Sequence, residues 1–232
     1  MLERLAIDRG AILFDPRRVA APGTQLFEAD HWRAQGALRE LAGGRGSILL
    51  IEGKSRSWVL RRYLRGGLAA RFARDRYLWL GEERTRSFRE LRLLALLHSR
   101  GLPVPAPVAG RYRRAALTYR AELITERLPG ARSLETVIAA GEMDDALWAA
   151  VGRCLRHFHD AGVQHADLNA RNIMVGARRE VWVLDFDRGR LRKPGVWSGR
   201  VLDRLARSLE NTEAAVGDWK AGFELLRLAH DA

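Results

Sequence analysis

The sequence contains a single cysteine, Cys154, and only three lysines among its 40 basic residues. One cysteine cannot form an internal disulfide, and Cys154 lies in a predicted helix, so we interpret it as a packing residue without a function. No apolar run reaches the roughly 18 residues that a membrane span needs. Residues 1–4 also lack the charged and then apolar pattern of a signal sequence. We therefore expect neither a membrane span nor export.

Acidic residues are also scarce relative to basic ones. The 232 residues include 28 Asp and Glu against 40 Lys and Arg, which gives a formal net charge of +12. Arginine supplies nearly all of the positive charge, and its guanidinium pairs bidentately with phosphate at any relevant pH. Nucleic acid, a phosphorylated lipid surface or a small anionic substrate would each fit this balance. GC-rich coding would enrich arginine as well, so composition alone does not identify the partner.

The chain does contain a segment with the spacing of a kinase catalytic loop. It reads HADLNARN over residues 165–172, and DFD follows over residues 185–187. In phosphoryl transfer one Asp accepts the proton of the acceptor hydroxyl, while an Asn five residues later and an Asp on the next strand hold magnesium against the phosphates of ATP. Asp167 is therefore the predicted catalytic residue, and Asn172 and Asp185 are the predicted metal ligands. His165 is predicted to brace the loop.

The surroundings of this segment favour the same interpretation. Apolar residues at helical spacing predict a helix over residues 146–161, which Gly162 ends. Residues 172–175 and 181–184 predict two short strands around a turn at Gly176, so that Asp185 leaves the end of a strand. The alternative is an ordinary hairpin with an N-capping Asp, which the combined context disfavours.

The first half of the chain predicts antiparallel strands over residues 38–41, 47–52 and 57–63. Gly44 and Gly46 lie in the first intervening turn, where backbone N–H groups could approach phosphates, although an ordinary hairpin turn would have the same sequence. The third strand has no lysine at the position that contacts ATP phosphates in kinases. Because strand residues alternate between faces, only one of Arg61 and Arg62 can point toward a nucleotide, and Val59 two residues earlier favours Arg61.

A helix predicted over residues 85–100 carries Glu90 at the edge of its apolar stripe. Glu90 is the candidate ion-pair partner of the strand arginine, and the alternative is a solvated glutamate. Residues 101–107 then force an extended passage, and residues 121–125 predict a strand that leads to Glu126. Backbone groups from Glu126 to Leu128 are the candidate contacts for adenine, although a simple linker would have the same sequence.

Several segments together resemble the 3-deoxy-D-manno-octulosonic acid (Kdo) kinases of Gram-negative bacteria, which belong to the lipopolysaccharide kinase group of the protein-kinase-like fold. They are HADLNARN, DFD, the arginine strand with RGGL at 65–68, FREL at 88–91 and LPVP at 102–105. The resemblance covers most of residues 35–210. It implies ATP- and magnesium-dependent phosphorylation of Kdo-lipid A at O4 of the Kdo sugar. It also implies a peripheral protein on the cytoplasmic face of the inner membrane, with no nucleic-acid partner.

The catalytic segment departs from protein kinases in ways that fit this group. Ala166 replaces the arginine that docks a phosphorylated activation loop in many protein kinases. Asn169 and Asp187 resemble the residues that kinases of sugars and antibiotics have at these positions. A basic segment over residues 188–197 follows, which we interpret as a contact for lipid A phosphates and the Kdo carboxylate. Its Trp197 would sit at the membrane interface, or else the segment is a solvated loop with Trp197 packed on the lower lobe.

The sequence thus predicts an α+β, two-lobed protein-kinase-like fold with a reduced C-terminal lobe. The N-terminal lobe covers residues 1–124 and is mainly β, and the helical C-terminal lobe covers residues 125–232. One rival is another small-molecule kinase of the aminoglycoside or choline type, which would need an acidic acceptor pocket. The other is a non-catalytic basic module of kinase ancestry that binds RNA or membrane. The intact set of Asp167, Asn172 and Asp185 argues against the latter.

Overall fold

The computed structural model describes residues 1–40, 48–53, 56–64, 75–193, 195–210 and 219–232. The chain forms two compact units. The first consists of Met1–Leu96 and Ala106–Arg127, and the second of Leu97–Pro105 and Leu128–Ala232. The predicted glycine turn with Gly44 and Gly46, and the RGGL segment at 65–68, lie outside the described residues.

The first unit is built on one antiparallel sheet. Its strands run in the order β1-β2-β7-β8-β5-β4-β3, and β6 pairs separately with β8. The strands predicted around residues 38–41, 47–52, 57–63 and 121–125 are confirmed. The bounds are β1 Glu3–Ile7, β2 Gly10–Phe14, β3 Leu38–Glu40, β4 Ile48–Glu52, β5 Ser57–Arg62, β6 Tyr77–Leu78, β7 Pro107–Ala115 and β8 Thr118–Glu126.

Apolar side chains from alternate strand positions form the core of this unit, together with Leu26 and Phe27 from a 3₁₀ turn at Thr24–Phe27. Helix α1 (Ala29–Ala34) follows, and its Trp32 packs edge-on against Trp58 of β5 with ring centroids 6.0 Å apart. After a second 3₁₀ turn at Glu82–Arg84, helix α2 extends over Arg86–Ser99. This confirms the helix predicted over residues 85–100.

The second unit is mainly helical. Helices α3 (Leu134–Ala139), α4 (Asp145–Asp160), α5 (Trp197–Glu210) and α6 (Trp219–Asp231) accompany short strands and a 3₁₀ turn at Ala170–Asn172. Strand β11 (Ile173–Val175) pairs with β12 (Val181–Val183) and with β9 (Arg132–Ser133), while β10 (Val163–Gln164) pairs with β13 (Arg190–Leu191). The helix predicted before the catalytic loop and the hairpin predicted after it are confirmed, as is the mixed α and β class.

Glycines allow α4 and α6 to approach each other closely. A Cβ atom added at Gly152 of α4 would lie 2.2 Å from the carbonyl oxygen of Leu226, and one added at Gly222 of α6 would lie 2.0 Å from Nε1 of Trp148. Both distances are far below van der Waals contact, so the α4 backbone packs on the α6 backbone at Gly152, and the α6 backbone packs on the Trp148 ring at Gly222. In the described part of the chain, no helix has the length and apolarity needed to cross a bilayer.

Candidate active site

In the second unit, His165 fixes the backbone of the catalytic loop. Its ring is buried, Nε2 donates to the carbonyl oxygen of Leu184 at 2.8 Å, and Nδ1 accepts from the Asp167 N–H at 3.2 Å. Burial lowers the pKa of His165, which keeps the imidazole neutral in the tautomer that these two bonds require. Both ring nitrogens are thus engaged by backbone, and His165 has the bracing position predicted from the sequence.

Two asparagine side chains donate hydrogen bonds to the backbone of the same loop. Nδ2 of Asn169 donates to the carbonyl oxygen of Asp167 at 2.9 Å, and Nδ2 of Asn172 donates to the same oxygen at 3.1 Å. Leu168 and Ala170 of the same loop are buried. The backbone of Asp167 is therefore fixed, while its carboxylate is 56% exposed and can meet a substrate.

The β11–β12 hairpin brings Asn172 and Asp185 to the same end of two paired strands. Ile173 lies opposite Val183, and the Leu184 N–H donates to the carbonyl oxygen of Asn172 at 2.8 Å. Asp185 follows directly with a φ of 63°, in the left-handed region that aspartate tolerates better than most residues. Since Nδ2 of Asn172 faces the loop, its amide oxygen is the atom left to ligate a metal. An amide oxygen and a carboxylate are the hard ligands that magnesium takes, so this donor pair fits that ion.

Phe186 anchors the DFD segment. Its ring is buried, stacks on Phe158 of α4 with centroids 5.7 Å apart, and meets the ring of His165 edge-on at 4.9 Å. The buried Phe186 ring therefore fixes the backbone next to Asp185 and supports the imidazole that braces Asp167.

In the first unit, Arg61 and Glu90 form an ion pair. Nη2 of Arg61 lies 2.6 Å from both carboxylate oxygens of Glu90, and the hydroxyl of Tyr63 donates to Oε2 at 2.6 Å. Glu90 is 1% exposed, and the Arg61 guanidinium lies over the Tyr63 ring at 4.8 Å. Arg62 points to the other face and lies 3.5 Å from Glu122. Of the two candidate arginines, the structure thus pairs Arg61 with Glu90.

The backbone at the predicted adenine contacts is partly engaged. The Glu126 N–H donates to the carbonyl oxygen of Ala106 at 2.9 Å, and the Arg127 N–H donates to that of Ser57 at 2.8 Å. The Glu126 side chain pairs with Arg18. An adenine contact at this segment therefore has to come from the backbone of Leu128 or from carbonyl oxygens, and not from the Glu126 N–H.

The interfacial position considered for Trp197 is wrong. Its side chain is buried, packs edge-on against His159 with centroids 5.2 Å apart, and donates through Nε1 to the carbonyl oxygen of Lys193 at 2.8 Å. Among the described residues of this segment, Leu191 and Val196 are the large apolar side chains that are exposed. The segment is tied down where the Arg192 N–H donates to the carbonyl oxygen of Gly162 at 2.7 Å.

Helix α5 supplies two contacts that the sequence analysis missed. Arg204 forms an ion pair with the carboxylate of Asp167, and the hydroxyl of Ser208 accepts from the Ala170 N–H at 3.2 Å. The two residues are one helical turn apart, on the side of α5 that faces the catalytic loop. The spacing of Arg204 and Ser208 is typical of one face of a helix, but the sequence did not indicate that this face would lie against the catalytic loop.

Comparisons with known proteins relate this chain to kinases. The model of the lipopolysaccharide kinase (Kdo/WaaP) family matches residues 29–224. A protein of Stenotrophomonas maltophilia (strain K279a) named 3-deoxy-D-manno-octulosonic acid kinase is 45% identical over 96% of this chain and 90% of its own length. One of Xanthomonas axonopodis pv. citri with the same name is 49% identical over 86% of this chain and 80% of its own. The solved structure of monomeric WbdD is similar with a TM-score of 0.48 and 21% identity, over 84% of this chain and 48% of that one.

Proposed function

The chain belongs to the lipopolysaccharide kinase (Kdo/WaaP) family, and from this premise we propose that it transfers the γ-phosphate of ATP to a hydroxyl of the Kdo sugar of Kdo-lipid A. The family membership confirms the resemblance that the sequence motifs indicate. Relatives at 44–49% identity over most of the chain carry the Kdo kinase name and support this acceptor.

The observation that carries the proposal is the catalytic loop itself. His165, Asn169 and Asn172 fix the backbone of Asp167, while its carboxylate remains exposed. A fixed and accessible carboxylate can orient an acceptor hydroxyl and accept its proton as the oxygen attacks phosphorus. The exposed Arg204 holds that carboxylate in place before the acceptor arrives.

Asn172 and Asp185 are the proposed magnesium ligands. When bound there, the ion would bridge and neutralise phosphate oxygens of ATP. Arg61 is proposed to contact the nucleotide phosphates, with Glu90 and Tyr63 holding its guanidinium in one orientation. The backbone near Leu128 is proposed to contact adenine, and the turn with Gly44 and Gly46 to cover the phosphates.

The acceptor is proposed to bind through its negative charges. Arg188, Arg190, Arg192 and Lys193 follow the DFD segment, and all four are basic side chains on the surface. Arginine suits phosphate and carboxylate groups because of its planar donor pairs. We assign O4 of Kdo as the hydroxyl that is phosphorylated and the cytoplasmic face of the inner membrane as the site of reaction.

One assay tests this proposal. The protein is incubated with γ-labelled ATP, magnesium and either Kdo-lipid A or a lipid A precursor without Kdo, both dispersed in detergent. Label should enter Kdo-lipid A alone and should be released with the Kdo sugar on mild acid hydrolysis. An acceptor analogue that lacks the O4 hydroxyl should stay unlabelled. Equal labelling of the precursor, or labelling of an aminoglycoside in preference to Kdo-lipid A, would reject the assignment.

A further inference from the structure

The first unit contains a pocket rich in arginine that has no part in the proposed reaction. The cavity measures about 360 Å³, and two acidic residues, Asp8 and Glu28, also line it. Its arginines come from the β1–β2 turn, from β7 and β8, and from the segment before β6: Arg9, Arg76, Arg113, Arg114 and Arg120.

Strand register places two of these arginines directly opposite each other. Arg113 of β7 pairs with Arg120 of β8 in the antiparallel ladder, so both side chains lie on the same face of the sheet. Like charges at directly opposed positions destabilise a sheet. The nearby acids offset this only in part, because Asp75 pairs with Arg120 at 2.5 Å while Glu28 is engaged by the buried Arg111 at 2.6 Å. The pocket thus carries an excess of positive charge that an anion would neutralise.

Exposed leucines adjoin the same pocket. Along the segment before α2, Tyr77 and Trp79 turn inward against Tyr119, with ring centroids 5.7 Å and 6.0 Å away. Leu78 of β6 lies opposite Thr118, which lines the pocket, and Leu78 and Leu80 are each 58% exposed.

The β7–β8 turn adds a third leucine. Leu117 is 74% exposed, and its carbonyl oxygen accepts from the Trp79 N–H at 2.9 Å, which brings the turn beside Leu78 and Leu80. Exposed leucines next to a cluster of arginines form the combination that binds the interfacial layer of a membrane, where apolar side chains enter the headgroup region and cations meet lipid phosphates.

We propose that this arginine–leucine surface, formed by the pocket arginines with Leu78, Leu80 and Leu117, docks the protein on an anionic lipid bilayer. The arginines bind the phosphates of lipid headgroups, and the leucines enter the headgroup layer. A soluble phosphate would leave the leucines exposed. Single-stranded RNA is held through stacking on exposed aromatic rings, whereas Tyr77 and Tyr119 are buried and Trp79 is half-buried against Tyr119. The proposal rests on the proposed function only in that a lipid-linked acceptor requires the enzyme to reach a membrane.

The test measures binding of the whole protein to sedimented vesicles at physiological salt, without nucleotide or Kdo-lipid A. Vesicles contain phosphatidylcholine alone or an equimolar mixture with phosphatidylglycerol. The wild type should bind the anionic vesicles and bind the neutral ones poorly. Each arginine near an anionic surface contributes about fivefold in affinity, so Arg113→Ser with Arg120→Ser should weaken binding about 25-fold. Leu78→Ser, Leu80→Ser and Leu117→Ser together should weaken it at least about tenfold.

Two control variants remove charge or a leucine from other parts of the surface, and the first of them matches the change in charge. Arg89→Ser with Arg178→Ser removes the same charge from exposed positions elsewhere, and Leu228→Ser removes a leucine that is 68% exposed on α6. Both controls should bind vesicles as the wild type does. Circular dichroism and thermal melts establish that every variant is folded.

Three outcomes would overturn the docking surface. The first is an equal loss of binding in the charge control and the Arg113/Arg120 variant, which would indicate a general charge effect. The second is unchanged binding in the leucine variant combined with full competition by inorganic polyphosphate, which would indicate a site for soluble anions. The third is tighter binding to single-stranded RNA than to vesicles that depends on the same arginines.

Because the kinase assay uses detergent-dispersed acceptor, the two proposals fail independently. Vesicle binding without Kdo phosphorylation rejects only the function, and Kdo phosphorylation without vesicle binding rejects only the surface.

Discussion

Arg61 pairs with Glu90 as a strand lysine pairs with a helix glutamate in protein kinases, and the carboxylate of Glu90 is almost fully buried. Arg61→Ala removes the charged guanidinium that pairs with the buried carboxylate of Glu90. We expect kcat/KM for ATP to fall about 100-fold, together with a loss of several kcal/mol in the free energy of unfolding. Arg61→Lys should be intermediate because a point charge replaces a planar fork.

Arg62→Ala is the matched control for this prediction, since Arg62 is 43% exposed and faces Glu122. It should change kcat/KM less than about threefold. Steady-state kinetics and urea unfolding of the three variants measure both effects. A larger kinetic defect at Arg62 than at Arg61 would contradict the proposed phosphate contact.

The two essential aspartates should separate chemistry from nucleotide binding. Asp167→Ala should lower kcat by a factor of about 10² to 10⁴, the usual contribution of a general base, while magnesium–ATP affinity stays within about twofold. Asp185→Ala should abolish magnesium-dependent ATP binding, because it removes a charged metal ligand. Calorimetric titration with and without magnesium is the measurement, and Asp203→Ala, an exposed carboxylate on α5, is the control. A similar loss of ATP affinity in both variants would reject the division of roles.

Among the helices, α5 acts on the catalytic loop through Arg204 and Ser208. Arg204→Ala removes the ion pair that orients the carboxylate of Asp167, so kcat should fall about tenfold with little change in the KM for ATP. Arg200→Ala, one turn earlier and exposed on the same helix, should leave kcat unchanged. If kcat of the Arg204 variant equals that of the Arg200 variant, the ion pair has no role in turnover.

Helices α4 and α6 are joined by a buried histidine pair that makes stability depend on pH. Nδ1 of His159 lies 2.7 Å from Nε2 of His230, and Nδ1 of His230 lies 2.7 Å from Asp231. Burial and the neighbouring His230 lower the pKa of His159 to about 4. The folded state thus holds this imidazole neutral, and the unfolded chain takes up a proton at about pH 6.5.

The contribution of His159 to stability is therefore present above pH 6.5 and is lost as the pH falls toward 4. Between pH 7 and pH 5 the free energy of unfolding should drop by about 2 kcal/mol from this group. Urea unfolding at several pH values measures the slope, which His159→Gln should flatten and His157→Gln, on the exposed side of α4, should not. The same slope in both variants would exclude His159 as its source.

For the whole molecule, whose formal net charge is +12, we propose two separate basic surfaces, a membrane surface on the first unit and an acceptor segment on the second. Replacement of Arg190, Arg192 and Lys193 with Ser should raise the KM for Kdo-lipid A, leave the KM for ATP unchanged and leave vesicle binding intact. Substitutions at Arg113 and Arg120 should have the opposite pattern, with little effect on detergent-dispersed acceptor. Kinetics in detergent measure acceptor binding, and vesicle sedimentation measures membrane binding. A variant that changes both readouts equally would indicate that the two surfaces are one.

The sequence predicted those features that repeat over short distances along the chain. Alternation in β5 favoured Arg61 over Arg62, helical spacing placed Glu90 on α2, and the catalytic loop was recognisable from fixed intervals. It could not predict the contacts that depend on tertiary packing. Arg204 meets Asp167 across 37 residues, and the buried environment of Trp197 depends on His159 in another helix. The segment Leu97–Pro105 belongs to the second unit, where the Pro103 carbonyl oxygen accepts from the Val183 N–H at 3.0 Å.

The pairing of Glu90 with a guanidinium instead of an amine has a consequence for chemical proteomics. Nucleotide reagents that carry an acyl phosphate label kinases by acylating the lysine that contacts ATP, because a lysine amine can act as a nucleophile. The Arg61 guanidinium stays protonated and does not react in this way. A survey of cell extracts with such reagents should therefore not label this enzyme at the partner of Glu90, however active it is, while Arg61→Lys should render that position labelled.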